Sequence, residues 1–331
     1  MSATGRVGSL DRFNLTRDAQ AAGLALLFAI GVLAVPFERL RGPFADYEVY
    51  LATFQWQPSV RDLYDPHGLI EYFRNEIAWD EFVRLLAAGV GGPQMALTLI
   101  SAFILTVNAF VLFRRFGYML PAVLLVNPVF LDLALSQLRL GFAIALLLVA
   151  LETRSRWCQA GLVIVTAFMH SSIPIFVGIF VAARLVQANA ARWRLLTIFA
   201  FAALILVVLV GVLAFGRDAV LESMDDRRAH LYDSISGSSK LFLVLWGPYF
   251  LAQAMAGKQY LAKADNFYAF IIVGVFVAMT LVGTYGSRFL AGAYCVVVAS
   301  ALNFDERNRN VVIPAVLLFQ LVSTIYWFGL N

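Results

Sequence analysis

The sequence predicts an all-α, polytopic membrane protein: one membrane domain over residues 1–331 with about eleven spanning segments, some short or broken. Three observations point there. Of the 331 residues, 61% are hydrophobic and only 14% charged, whereas a soluble domain carries roughly 45–50% apolar and about 25% charged residues. The apolar excess lies in long runs such as Leu195 to Phe215 rather than being spread along the chain. Inside lipid, a lone segment satisfies its own backbone hydrogen bonds only as a helix.

The runs fall at 19–37, 94–113, 117–132, 136–151, 157–170, 171–185, 194–215, 241–257, 266–284, 287–304 and 311–329. The first lacks a small-residue cleavage site and reads as a signal anchor. Several are too short to cross a hydrocarbon core of about 30 Å unless broken, re-entrant or buried in the bundle. The stretch 157–185 is interrupted at its centre by His170, Ser171, Ser172 and Pro174. Proline in a helix interior removes a hydrogen bond and kinks or ends the helix, so two segments meeting at a turn are expected.

Charge sets the expected orientation. With the N-terminus cytoplasmic and the C-terminus periplasmic, the cytoplasmic segments collect fourteen of the 25 basic residues but only six of the 21 acidic ones. That bias follows the positive-inside rule. Making 157–185 a single span would carry Arg184, Arg192 and Arg194 to the other side. The formal charge of +4 is explained by the same bias. With no basic run longer than a pair, a nucleic-acid partner is excluded.

Two loops on the external face are long. Residues 38–93 hold Asp46, Tyr47, Tyr50, Trp56, Trp79, Asp80 and Glu81, and helical spacing from Gly68 to Ala88 predicts one amphipathic helix lying along the interface. Aromatic residues in this loop would stack on sugar rings or belong to the interfacial belt. Residues 216–240 form the second loop, with Asp225, Asp226, Arg227, Arg228, His230 and Tyr232.

Ionisable side chains at membrane depth cost a few kcal/mol and usually face a cavity with a partner. Three qualify: Arg139, His170 and Arg288, each at the external end of its span. A guanidinium grips phosphate oxygens in a fork, and an imidazole exchanges protons near neutral pH. Two of one and one of the other suit a diphosphate leaving group and a hydroxyl nucleophile. Taken singly, each Arg has the plainer reading of snorkelling to the headgroups, and the His of a structural hydrogen bond. Other chemistries lack their residues. No glycine loop with its lysine and no His-Glu-x-x-His pair occurs. Three histidines, His67, His170 and His230, do not build a multi-histidine metal site, and Cys158 and Cys295 have no metal-ligand spacing and no disulfide expected.

In order along the chain stand Asp46-x-x-x-Tyr50, then Glu81-Phe82, then Arg139 before Gly141-Phe142-Ala143-Ile144-Ala145, then Ala167-x-x-His170-x-Ser172, then Arg288. Over roughly residues 40–300 this series resembles the EpsG-like branch of the Wzy-type polysaccharide polymerases. The chain departs from that pattern in placing Gln137 before Arg139 and Leu140 after it, and in lacking Pro-Gly after Glu81. The resemblance implies a GT-C-like glycosyltransferase architecture in the bacterial inner membrane. It implies transfer of a glycan from undecaprenyl diphosphate to a second lipid-linked repeat unit at the periplasmic face, with no metal and no cofactor. Arg139, Arg288 and His170 would be catalytic, and Asp46, Tyr50, Glu81, Gln137, Ser171 and Tyr285 would contact substrate. The lipid-linked oligosaccharide, membrane lipids and a chain-length regulator protein are the partners implied. Two rivals stay open here: a ligase using the same donor, and a transporter or flippase. The latter would call for midplane sites and inverted repeats, of which the sequence has no sign.

Overall fold

The computed structural model describes residues 15–35, 45–64, 68–153, 155–216, 240–284 and 286–329, and among these no strand occurs. The helices are α1 (Leu15–Leu33), α2 (Ala45–Trp56), α3 (Val60–Tyr64), α4 (Leu69–Arg74), α5 (Ile77–Val90), α6 (Pro93–Phe116), α7 (Met119–Leu125), α8 (Pro128–Leu135) and α9 (Leu138–Glu152). They continue with α10 (Arg156–Met169), α11 (Ile173–Ala188), α12 (Leu195–Gly211), α13 (Leu243–Met255), α14 (Gly257–Leu261), α15 (Ala264–Val282), α16 (Ser287–Gly292), α17 (Tyr294–Leu302) and α18 (Glu306–Gly329).

Five stretches are long and apolar enough to cross a membrane: 16–33 in α1, all of α6, 195–214 beginning with α12, all of α15, and 306–326 in α18. A sixth is counted if α8 and α9, bent by 97° at their junction, form one broken span, and α10 and α11 are shorter apolar helices. The sequence led to about eleven spans, and the difference lies in breaks inside apolar runs. Asn127 caps α8 by accepting the Val129 N–H at 2.9 Å, and Pro128 opens that helix. The run at 117–132 is therefore cut in two. The run at 287–304 is cut at Ala293 into α16 and α17. A hydropathy window sees composition and is blind to a cap or a bend within it.

The apolar stretches of α6 and α15 are 67% and 72% buried, whereas those of α12 and α18 are 11% and 28% buried. Two apolar helices thus form the centre, and the others present Leu204, Val207, Leu318 and Leu321 outward. Bare aliphatic surface of this extent belongs against lipid rather than water. This is a multi-pass membrane protein.

An ion-pair network marks one end of the bundle. Arg114 meets Asp18 at 2.8 Å and Glu152 at 3.0 Å, and Arg115 meets Glu152 at 2.6 Å and Asp265 at 2.7 Å. These groups lie at the start of α1 and α15 and the end of α6 and α9. The opposite end therefore holds the start of α9, the end of α15 and the break between α10 and α11. The sharp turn into α9 depends on Gly141. A Cβ there would meet the Leu133 carbonyl oxygen at 2.7 Å and Ile104 Cδ1 at 2.9 Å, closer than real Cβ contacts come. Without a side chain, the first turn of α9 packs directly on α8 and aims Arg139 at the far end.

Candidate functional site

The α10–α11 break places the imidazole. The chain leaves α10 at Met169, His170 is extended, and α11 restarts at Ile173 with Pro174 in its first turn, where a missing N–H costs nothing. His170 Nδ1 receives the Ser172 N–H at 3.1 Å and lies 2.9 Å from Ser172 Oγ.

Arg139, in the first turn of α9, is held from two sides. Its Nε donates to Tyr50 Oη at 3.1 Å, and its guanidinium carbon lies 5.5 Å from the centre of the Tyr50 ring. Its Nη1 donates to Glu76 Oε2 at 2.5 Å. The other oxygen of Glu76 accepts both the N–H and the Oγ–H of Ser171 at 3.0 Å and lies 3.8 Å from His170 Nδ1. Glu76 is thus the hub that joins Arg139 to the His170 loop, and it is 3% exposed. A carboxylate so buried persists only when paired and hydrogen-bonded.

Arg288, in the first turn of α16, forms an ion pair with Asp46 at 3.7 Å, with both side chains more than 40% exposed. Asp46 and Tyr50 are one helical turn apart on α2, so they share a face. The Asp-x-x-x-Tyr spacing therefore sets one residue against Arg288 and the other against Arg139. Behind them, Gln137 Nε2 donates to Asp132, which lies within electrostatic reach of both Asp46 and Arg288. Arg139, His170, Arg288, Asp46, Tyr50, Gln137 and Ser171 all stand at the end of the bundle opposite the Arg114–Arg115 network. Tyr285 lies outside the described residues, as do His67, His230, Asp225, Asp226, Arg227, Arg228 and Tyr232.

Glu81 is placed elsewhere. Its carboxylate accepts from Tyr72 Oη and pairs with Arg61 at 3.3 Å. Burial, with the neighbouring carboxylate second, pushes the Tyr72 phenol up to about 12. Below this pair, Asp80 accepts from Arg84 at 2.9 Å and from the Val60 N–H at 3.1 Å, which fastens α3 to α5.

Glu76 does not stand out in the sequence, where the helical spacing runs from Gly68 to Ala88 as if through one helix. The structure breaks that helix at Asn75 and Glu76. Glu76 has φ +52° and is the one non-glycine residue with positive φ among the described residues. A left-handed conformation costs about 1–2 kcal/mol for a residue with a Cβ. The available sign was Asn75, directly before Glu76, since Asn favours helix ends and turns.

Against this geometry stands one comparison that matches. A model of the EpsG family covers residues 24–330, nearly the whole chain. The chain belongs to the EpsG family. Its role is accordingly of the polysaccharide-polymerase type, acting on lipid-linked oligosaccharide at a membrane. No curated protein and no solved structure matches this EpsG-family chain.

Proposed function

We propose that this EpsG-family protein is a glycosyltransferase of the bacterial inner membrane. It moves a growing glycan from undecaprenyl diphosphate to the non-reducing end of a second lipid-linked repeat unit, without a metal or cofactor. The observation that carries the reading is the gathering of Arg139, Arg288 and His170 at one end of the bundle. Arg139 and Arg288 would hold the donor diphosphate and stabilise the charge that grows on it as it leaves. His170 would orient the acceptor hydroxyl, with Tyr50, Asp46, Gln137 and Ser171 shaping the surroundings.

The two-ended charge distribution supports an orientation. Arg114, Arg115, Arg184, Arg192 and Arg194 belong to the end away from the site, so the positive-inside rule would put that end in the cytoplasm. The site would then face the periplasm, where no nucleotide sugar is at hand and the lipid-linked diphosphate must supply the leaving-group energy. The N-terminus would be cytoplasmic and the C-terminus periplasmic, with residues 38–93 and 216–240 as periplasmic loops, the first carrying α2 to α5.

The test is extension in vitro. Purified protein in detergent is incubated with an undecaprenyl-diphosphate-linked repeat unit of the native glycan, and the products are resolved on a gel. Wild type should give a ladder that vanishes with Arg139→Ala and with His170→Ala at equal protein level. Wild-type chain lengths from either variant would refute the assignment, and no ladder from folded wild type would refute the activity.

A further inference from the structure

The position of the imidazole proton follows from the backbone. An Nδ1 that accepts the Ser172 N–H at 3.1 Å has its lone pair committed, so the neutral ring carries its proton on Nε2. In this tautomer His170 donates through Nε2, and it has no lone pair left for the proton of a hydroxyl. It can orient an acceptor sugar; it is not placed to deprotonate one.

A second proton acceptor lies beside it. Glu76 Oε1 is 3.8 Å from His170 Nδ1, and Oε2 rests on Arg139. Two independent features mark this placement as costly to the fold. The Glu76 backbone is left-handed, at φ +52°, and its side chain makes no capping hydrogen bond to the helix α5 that it precedes. Residues held in strained conformations persist where the surroundings over-determine them, commonly at working sites. The strain places the carboxylate on the guanidinium, in the fork position that a phosphate oxygen also takes. Tyr50 engages the Nε of the same guanidinium, so a diphosphate arriving at Arg139 competes with groups already there.

We propose that Glu76 is an exchangeable counter-ion. The donor's diphosphate displaces it from Arg139, and the released carboxylate then accepts the proton of the acceptor hydroxyl. This rests on the polymerase reading above and deepens it. In the step, the hydroxyl oxygen bonds to the anomeric carbon of the donor glycan. The bond from that carbon to the diphosphate oxygen breaks, its electron pair staying with the diphosphate between Arg139 and Arg288. The hydroxyl proton passes to Glu76 Oε2, while the N–H and Oγ–H of Ser171 keep Oε1 in place. Water takes the proton when product leaves.

Glu76→Gln separates this from a merely structural role, because the amide keeps the shape and still accepts from Ser171. It neither opposes an incoming anion nor takes a proton. Binding of undecaprenyl diphosphate and the rate of chain extension are measured on the full-length protein in detergent. Removing the competing anion should tighten binding about tenfold, while the turnover rate falls about a hundredfold or more, as for loss of a general base. Weaker or unchanged binding would overturn the exchange, and turnover within a few-fold of wild type would overturn the proton transfer. If the Gln variant does not give folded protein, Glu76→Asp decides. It keeps a carboxylate, so turnover within tenfold of wild type supports the proposal and a loss beyond a hundredfold overturns it. Arg139→Ala that binds undecaprenyl diphosphate as wild type does would instead sink the polymerase reading.

Discussion

Replacing Glu76 by alanine and, separately, by glycine measures both the ion pair and the backbone strain that supports it. Both substitutions remove a carboxylate that is 3% exposed and accepts from Arg139 and twice from Ser171. A buried donor left without an acceptor costs about 1–3 kcal/mol. The Arg139 side chain is 30% exposed, so water takes over part of its loss, and that share is discounted to below about 1 kcal/mol. The alanine variant should therefore be about 2–4 kcal/mol less stable than wild type. Glycine lacks the same contacts but pays no steric penalty at φ +52°, which relieves about 1–2 kcal/mol. Against that stands an entropic loss of roughly 0.5–1 kcal/mol for its extra freedom in the unfolded chain. Glu76→Gly should thus be the more stable of the two by up to about 1.5 kcal/mol, with both below wild type. The assay is thermal unfolding of detergent-purified protein, followed by far-ultraviolet circular dichroism. Alanine as stable as wild type would refute the buried hub, and alanine clearly more stable than glycine would refute the left-handed break.

Other expectations follow from the same geometry. Asp46→Ala should change stability by less than about 1 kcal/mol, because its pair with Arg288 is wide and largely exposed. Arg288→Ala should nevertheless cut polymer at least tenfold on the gel, and wild-type polymer would remove Arg288 from the site. Gly141→Ala should destabilise by about 1–3 kcal/mol through overpacking against Leu133 and Ile104; a neutral result in the same unfolding assay would contradict the close approach of α8 and α9. The Tyr72 phenol should ionise near pH 12 rather than the ordinary 10.0. Because its folded pKa is raised, its contribution to stability is whole below pH 10 and lost as pH climbs through 12. A difference absorbance titration of wild type against Tyr72→Phe reads this directly, and a transition at 10 would contradict the burial and the Glu81 contact.

Several residues of the candidate site were legible because membrane depth penalises charge. Arg139, His170 and Arg288 stand out in apolar runs for that reason alone, and Asp46 and Tyr50 carried a spacing that one helical turn explains. Glu76 had no such contrast. It lies in a stretch with charges all around it, Arg74, Asp80, Glu81 and Arg84 among them, and only the adjacent Asn75 hints at a helix end there. Glu81, named by the resemblance, stands in the same stretch, and its bonds go to Tyr72 and Arg61.

The sequence by itself determined the class of this protein and the break at His170, because burial of apolar runs in lipid and the chemistry of proline act locally along the chain. It also marked out the cations, since a charge in an apolar run is a local contradiction. Only the tertiary structure decided how many runs stay whole, since a bend such as that between α8 and α9 depends on the contact Gly141 permits. It alone chose the partner of each cation. A carboxylate from the break between α4 and α5, a phenol from α2 and a loop between α10 and α11 meet at Arg139 through packing between segments far apart in sequence, and pairwise electrostatics reaches only as far as the fold brings charges together.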